Sequence, residues 1–249
     1  MKEREVLLSA IILTGLWYLL SALIDRPILP FPHTVFWVFV REITGELGRH
    51  FVHSVLRVLT SISLGIITAG PLGIVLGQSQ RLNRLLSPFF YLLYPIPKVV
   101  FVPVAILFFG LGELPKVLII YLIIFFQILV LVRDQAEKLR PELILSVRSL
   151  GAGRRALFRF VYLPATLPSI FTAIRQSTGT AIAVLYLAEL FATRYGLGYY
   201  IYLTGSTLFD YPAMYAGILS MSLLGLGLYF SIDRLERRLC PWVFVEVPS

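Results

Sequence analysis

Six long apolar runs, separated by short polar connections, constrain the fold of this chain more than any other feature. A bilayer core about 30 Å thick requires roughly 20 apolar residues in an α-helix, and each run is close to that length. A helix also pairs its backbone groups within one segment, as lipid requires. The sequence therefore predicts an all-α membrane protein with six transmembrane helices, at residues 6–24, 56–77, 85–110, 117–132, 164–192 and 211–232.

Composition supports a membrane protein and argues against a nucleic-acid-binding one. Of the 249 residues, 57% are hydrophobic and 14% are charged, whereas a soluble domain carries about 25% charged residues. The net charge of +8 comes from basic residues at the ends of apolar runs and not from a separate basic domain. Cys240 is the single cysteine, so no intrachain disulfide can form.

Basic residues also predict the orientation in the membrane. Fourteen of the 22 lysines and arginines lie at the N-terminus, in the turn 78–88, in the loop 133–160 or after the last run. The positive-inside rule places that side in the cytoplasm. We therefore expect a multi-pass protein with both termini inside. Residues 6–24 should be retained as the first span, because no small-residue cleavage site follows them.

The third run is interrupted by four prolines and one lysine. Pro88, Pro95, Pro97 and Pro103 predict a kinked or broken helix. Non-helical backbone at membrane depth is tolerated only inside protein or beside a cavity. Lys98 stands within this run, where a charge needs a partner or water. A structural or gating role and direct solute contact both remain open for it.

Few polar side chains interrupt the remaining runs, and those few are candidates for a translocation path. The fifth run is the most polar, which favours a position facing the protein interior. The second run is rich in glycine, serine and threonine, which predicts close packing against another helix. Glu189 could instead serve a structural role, for example with Arg194. The candidate path residues are Lys98, Gln127, Gln176, Thr180 and Glu189.

Histidines and catalytic motifs give little sign of other chemistry. His50 and His53 stand three residues apart, but no cysteine or carboxylate cluster completes a metal site, so a solvated helix face is favoured. The chain has no G-x4-G-K-[ST], H-E-x-x-H or G-x-S-x-G motif. It should therefore hold neither a nucleotide nor a metal, and it should not be an enzyme. Uphill transport would draw on an ion gradient or on a partner.

The longest polar interruption is PELILSVRSLGAGRRALFRFVYLP, residues 141–164. Pro141 suits a helix start and Gly151 a helix end. About ten residues give a helix of roughly 15 Å, half of what a bilayer needs. This helix should lie along the membrane surface, with its apolar stripe against a protein partner or against the chain's own helices. The stripe recurs at helical spacing, at Leu143, Ile144, Val147 and Leu150.

This segment resembles the E-A-A-x3-G-x9-I-x-L-P signature of the permeases of binding-protein-dependent ABC importers. Gly151 occupies the glycine position, and Val161 to Pro164 match I-x-L-P with valine for isoleucine. Leu145, Ser146 and Val147 stand in place of E-A-A, so the glutamate of the pattern is missing.

Two further stretches resemble one branch of that family. They are YPIPKVVFVPVAILFFGLGE, residues 94–113, and AELFATRYGLGYYI, residues 188–201. The branch imports nitrate, sulfonates, taurine and bicarbonate, and it has relatives that import pyrimidine vitamin precursors. The resemblance therefore implies a small, anionic solute, whose identity is selected mostly by an external binding protein.

The resemblance implies a type I ABC importer (MetI-like) permease fold in the inner membrane of a prokaryote. Expected partners are two cytoplasmic ABC ATPase subunits, an external solute-binding protein, a second permease copy in a homodimer, and membrane lipid. The chain itself would bind no cofactor, since the ATPase would hold ATP and Mg. The helix 141–151 would couple to the ATPase. The implied contact residues are Leu143, Leu145, Ser146, Val147, Arg148, Leu150, Gly151, Ala152 and Arg155.

The chain would then divide into three parts. Residues 1–55 would form the first transmembrane helix and an external amphipathic segment. Residues 56–238 would form the permease core, with the cytoplasmic coupling loop at 133–164, and residues 239–249 a C-terminal tail. The alternatives are a stand-alone secondary transporter or channel, a membrane scaffold for a cytoplasmic partner, and a permease for a vitamin precursor such as a pyrimidine or riboflavin.

Overall fold

The computed structural model describes residues 3–191 and 193–244, and within these ranges the chain is helical with no β-strand. Short 3-10 segments (Lys98–Phe101, Pro241–Val243) and π-helical segments (Phe158–Tyr162, Leu203–Thr207) join or extend some of the α-helices. The α-helices are α1 (Glu3–Ile24), α2 (Pro32–Glu42), α3 (Glu46–Gln78), α4 (Gln80–Leu93), α5 (Val102–Phe109), α6 (Leu114–Glu137), α7 (Pro141–Ser149), α8 (Arg154–Leu157), α9 (Leu163–Leu190), α10 (Leu197–Tyr202) and α11 (Tyr211–Leu239).

The described helices form two compact units. The first contains the residues up to Val55 together with Glu189–Leu224. The second contains Leu56–Ala188 together with the residues from Gly225 onward. Three helices, α3, α9 and α11, therefore contribute residues to both units. The second unit holds α7 and most of the polar span residues that the sequence analysis selected.

Within the second unit, α6 forms much of the apolar core, with Ile120, Ile124 and Leu129 fully or almost fully buried. The C-terminal half of α3 packs closely against it. A Cβ atom added to Gly73 would lie 2.9 Å from Cβ of Val132. Small residues let membrane helices approach closely, so the close packing predicted for the second apolar run is confirmed.

Among the residues that the structure describes, four helical segments are long and apolar enough to cross a bilayer: α3, α6, the continuous stretch Arg154–Leu190, and α11. A fifth span passes the same test when α4 is joined to Lys98–Phe109, although the two parts meet at an angle of 78°. In α1 the apolar stretch Leu8–Ile24 is shorter. Where the sequence predicted six transmembrane helices, the described residues thus contain four helices of sufficient length, a bent pair that could form a fifth span, and one shorter apolar helix.

The bend in the fifth of these spans follows from its prolines. Pro95 and Pro97 have no N–H, so the carbonyls of Tyr91 and Leu93 lose the donors that an unbroken helix would give them. The α-helix accordingly ends at Leu93, and the chain resumes as a 3-10 segment at Lys98. The predicted break in this run is confirmed.

Two helix starts differ from the predicted ones. α3 begins at Glu46, ten residues before the predicted second span, because the preceding amphipathic stretch is continuous with it. The helix of the fifth predicted span begins at Arg154 and passes through Pro164 by way of the π-helical turn Phe158–Tyr162. A π turn offsets the backbone hydrogen bonds by one residue. A proline, which has no N–H to donate, is tolerated at such an offset.

Candidate functional site

α7 is a short helix whose ends are set by one proline and one glycine. Pro141 lies in the first turn, where its missing N–H has no intrahelical partner in any case. Gly151 adopts φ +82°, and its N–H donates to the carbonyl of Arg148 at 2.9 Å. Glycine takes this left-handed conformation without strain and turns the chain sharply. The predicted start and end of the helix are therefore confirmed.

The surface of α7 is largely open. None of its residues is buried, and Leu145 and Leu150 are 59% and 87% exposed. Ile144 and Val147 are half-buried, so one edge of the predicted stripe faces the chain itself. The leucines on the other edges form an exposed apolar surface, which is the kind of surface that marks an interaction site.

The rest of the predicted contact set lies on the same loop. The charged residues of this set are Arg148 and Arg155, both positive, and they lie outside the apolar edge of α7. Leu143, Ser146, Arg148, Gly151 and Arg155 are exposed, and Ala152 is half-buried.

A cavity of about 290 Å³ lies beside the bend between α4 and α5. Its walls come from the bend itself, from α6 and from α9. Lys98, Gln127 and Thr180, three of the five predicted path residues, line it together. Gln176 lies outside the lining, and its side chain is exposed.

Lys98 occupies a polar position at the end of α4. Its Nζ donates to the carbonyl of Tyr94, and it lies 4.7 Å from the ring centroid of Phe126 and 5.4 Å from that of Tyr94. The last carbonyls of a helix have no intrahelical donor, and a lysine near that end can satisfy them. The side chain of Lys98 thus supplies the hydrogen-bond donor that the Tyr94 carbonyl does not receive from a continuing helix.

Ser177 is a buried residue behind the cavity lining that the sequence did not single out. Its hydroxyl bonds to Oε1 of Gln127, and so it holds that amide from the facing helix. Ser177, Thr180 and Val184 follow one another at i, i+3 and i+7, which is one face of α9. That spacing favours Ser177 over Gln176, and it is the signal that could have selected it.

Glu189 lies in the first unit, where it is fully buried. Its carboxylate accepts from the hydroxyl of Ser54 at 2.8 and 3.0 Å and from the N–H of Gly198 at 2.8 Å. The oxygen of Ser54 in turn accepts from the N–H of Leu197 at 2.9 Å. Both side chains therefore cap the N-terminus of α10.

His50 joins this cap, and the expected solvated face is wrong for it. The side chain is buried, Nδ1 accepts from the N–H of Gly196 at 2.9 Å, and the ring packs 5.3 Å from that of Tyr200. His53 stacks on Tyr195 with a centroid distance of 4.9 Å. In the ranges that the structure describes, no group of three or more His, Cys, Asp or Glu side chains could hold a metal ion.

The family follows from the match to the whole core of the chain. A family model for the inner membrane component of binding-protein-dependent transport systems matches residues 61–240. The chain belongs to this family. As such an inner membrane component it is the permease subunit of an ABC importer and not an enzyme, and membership implies an ATPase partner and a solute-binding protein.

Individual relatives and a solved structure agree with this placement. The taurine transport system permease protein TauC of Escherichia coli (strain K12) is 31% identical, with 96% of this permease and 91% of the relative covered. The formylaminopyrimidine transport permease protein ThiX of Halalkalibacterium halodurans is 30% identical, with 96% and 95% covered. The inward-facing MetNI methionine ABC transporter matches with a TM-score of 0.66 at 20% identity, over 79% of this permease and 97% of that chain. The last match shows a MetI-like fold.

Proposed function

We propose that this permease moves a small anionic solute across the inner membrane and is driven by an ATPase that docks on α7. The observation that carries the proposal is the exposed apolar edge of α7, ended by Gly151 in a left-handed conformation. A nine-residue helix is too short to cross a bilayer. Its leucines therefore suit a groove in a cytoplasmic partner.

The anionic solute is supported by two independent observations. The relative TauC is named for taurine, which carries a sulfonate. Lys98, a cation, lines the cavity beside the bend. Gln127, Gln176 and Thr180 remain proposed members of the translocation path, and Glu189 remains a candidate for which the capping bonds to α10 favour a structural role.

The assembly that we propose has two permease copies, each with both termini and α7 in the cytoplasm. ATP and Mg would be held by the ATPase subunits. The excess of basic residues on that side supports the orientation. Nucleotide would drive the permease between two states only if it favours one of them.

A vitamin precursor is the second candidate solute, because ThiX is named for formylaminopyrimidine. The two candidates differ in the sulfonate group. Competition assays on the reconstituted importer, with an alkanesulfonate such as ethanesulfonate against a neutral pyrimidine, would separate them. A stand-alone channel would instead show solute flux through the purified permease in liposomes without ATPase or ATP.

Two glycines of the α7 loop provide a matched test of coupling. A Cβ atom would meet open space at both Gly151 and Gly153, but φ is +82° at Gly151 and −77° at Gly153. Gly151→Val should therefore distort the loop and reduce both copurification of the ATPase and ATP-driven uptake. Gly153→Val should leave both near wild type. Normal uptake and normal ATPase copurification in Gly151→Val would overturn the proposal.

A further inference from the structure

The cavity beside the bend of the broken span contains a single charged group. Lys98 is the one ionisable cation among its lining residues, which otherwise include one amide residue (Gln127), two hydroxyl residues (Thr180 and Tyr94) and apolar or aromatic surface. Lys98 forms no ion pair with a residue that the structure describes. A cation at membrane depth is costly unless it is paired or wet. Among the described residues, the ammonium of Lys98 in this cavity thus has no carboxylate partner.

The present contacts of the Lys98 ammonium are all with neutral groups. They are the carbonyl of Tyr94 and the rings of Phe126 and Tyr94. Ring faces and carbonyl dipoles attract a cation but leave its net charge in place. An anion that enters the cavity could form an ion pair with the ammonium and neutralise its charge.

We propose that this cavity binds the sulfonate or carboxylate group of a small solute, with Lys98 as its counter-charge. The hydroxyl of Thr180 and the amide of Gln127 line the same space and can donate to anionic oxygens. The Phe126 ring offers an apolar wall for the remainder of the solute. A volume of about 290 Å³ is at the small end for ligand pockets, so the solute has only a few heavy atoms. The inference rests on the proposed function, of which it specifies one site.

Occupancy of this site should also affect the bend. The Lys98 ammonium satisfies the carbonyl of Tyr94 at the end of α4, next to the 78° angle between the two parts of the span. An anion that draws the ammonium into the cavity would withdraw that donor. Binding of the anion would then favour a conformation of the bend in which another donor reaches the carbonyl of Tyr94.

Fluorine NMR on the full-length permease in nanodiscs can test the site without knowing the physiological solute. The probe is trifluoromethanesulfonate, a small sulfonate, and trifluoroethanol is a neutral probe with the same fluorinated group. In a titration with trifluoromethanesulfonate, the line broadening should saturate for wild type and for Lys98→Arg. The Kd read from the same titration should rise at least tenfold in Lys98→Gln, which keeps an N–H donor for the Tyr94 carbonyl and loses the charge. Trifluoroethanol should respond equally to all three proteins.

A second variant covers the case in which Lys98→Gln fails to fold. Thr180→Leu should fill the cavity, leave the Lys98 cap in place and weaken both probes. Unchanged binding of trifluoromethanesulfonate in a folded Lys98→Gln protein would overturn the proposal, as would unchanged binding in Thr180→Leu. The Gly151 and Gly153 variants separate this proposal from the proposed function. Normal coupling in Gly151→Val, together with probe binding that depends on Lys98, would overturn only the coupling role of α7. Coupling lost in Gly151→Val, together with unchanged probe binding in Lys98→Gln, would overturn only the site.

Discussion

Arg57 on α3 and Glu113 in the turn before α6 form a two-point ion pair, with Nε to Oε2 at 2.5 Å and Nη2 to Oε1 at 2.7 Å. The guanidinium is buried, with 2% of the side chain exposed, whereas the carboxylate side is 58% exposed. One turn along α3, the Ser61 hydroxyl donates to the Val117 carbonyl at 3.0 Å. The pair and this bond tie the turn before α6 to α3.

Removing the charge of Glu113 should destabilise the protein. Glu113→Gln leaves a buried guanidinium with a weaker partner, and an inadequately satisfied buried group costs on the order of 1–3 kcal/mol. Glu46→Gln is the matched control, because it removes the exposed pair with Arg49, which contributes about 0–1 kcal/mol. Thermal denaturation in detergent should show the larger decrease for Glu113→Gln. Equal decreases would contradict the structural role given to the buried pair.

Gly77 should tolerate no larger side chain, because α6 is too close. A Cβ atom there would lie 2.6 Å from the carbonyl oxygen of Arg133 and 2.6 Å from Cβ of Ala136. Gly77→Ala should therefore separate α3 from α6 and lower the melting temperature. Gly227 on α11 has no neighbour within 4 Å of the same added atom, so Gly227→Ala should be neutral or stabilising by up to about 1 kcal/mol. Equal melting temperatures for Gly77→Ala and Gly227→Ala would contradict the close contact between α3 and α6.

Leu150 should contribute to ATPase binding and hardly at all to folding. It is 87% exposed, so truncation removes little contact within the chain. A residue buried at the centre of an interface costs more than about 1 kcal/mol when truncated, and about 1.4 kcal/mol corresponds to a tenfold change in Kd. Leu150→Ala should therefore weaken ATPase binding about tenfold, with an unchanged melting temperature. Leu23→Ala, at a leucine 72% exposed on α1, is the control and should bind the ATPase normally.

The single cysteine supplies a test of the end of α11. Burial, and after it the charge of Glu236, raises the pKa of the Cys240 thiol. The thiolate is the reactive form, so iodoacetamide at pH 8 should modify Cys240 slowly. A cysteine introduced by Ser146→Cys, on the exposed surface of α7, should react at least ten times faster. Rapid modification of Cys240 in the native protein, at the rate seen after denaturation in dodecyl sulfate, would show that this end is open.

Local signals explain which parts of the fold could be predicted from the sequence. Pro141 and Gly151 act on the backbone of their own neighbours, so they predicted both ends of α7. Pro95 and Pro97 likewise predicted the break in the third run. Three of five polar span residues met at one cavity, because few polar groups are available within the spans and each needs a partner or water.

Tertiary contacts explain what could not be predicted. Arg133 was counted as part of the basic loop, yet it lies in α6, is buried, and has its guanidinium 5.4 Å from the ring centroid of Tyr91 on α4. His50 belonged to an apparently polar helix face, but the tyrosines of α10 cover it. In both cases a segment distant in sequence sets the environment of the side chain, and no local pattern indicates it.

Glu189 has two possible roles that make different predictions. In the capping role, its carboxylate serves Ser54 and the N–H of Gly198, and hydrogen bonds to a charged group contribute about 1.5–3 kcal/mol. Glu189→Gln and Ser54→Ala should then each lower the melting temperature. The double variant should lose less than the sum of the two, because both changes remove the same contact.

Uptake separates the capping role from a place on the translocation path. We expect the capping role, because the carboxylate is fully buried and its bonds lead to the backbone of α10. Uptake by reconstituted Glu189→Gln importer, corrected for the folded fraction, should therefore stay close to wild type and match Ser54→Ala. If the carboxylate met the solute, uptake would fall in Glu189→Gln and not in Ser54→Ala, at equal melting temperatures. That pattern would assign Glu189 to the translocation path.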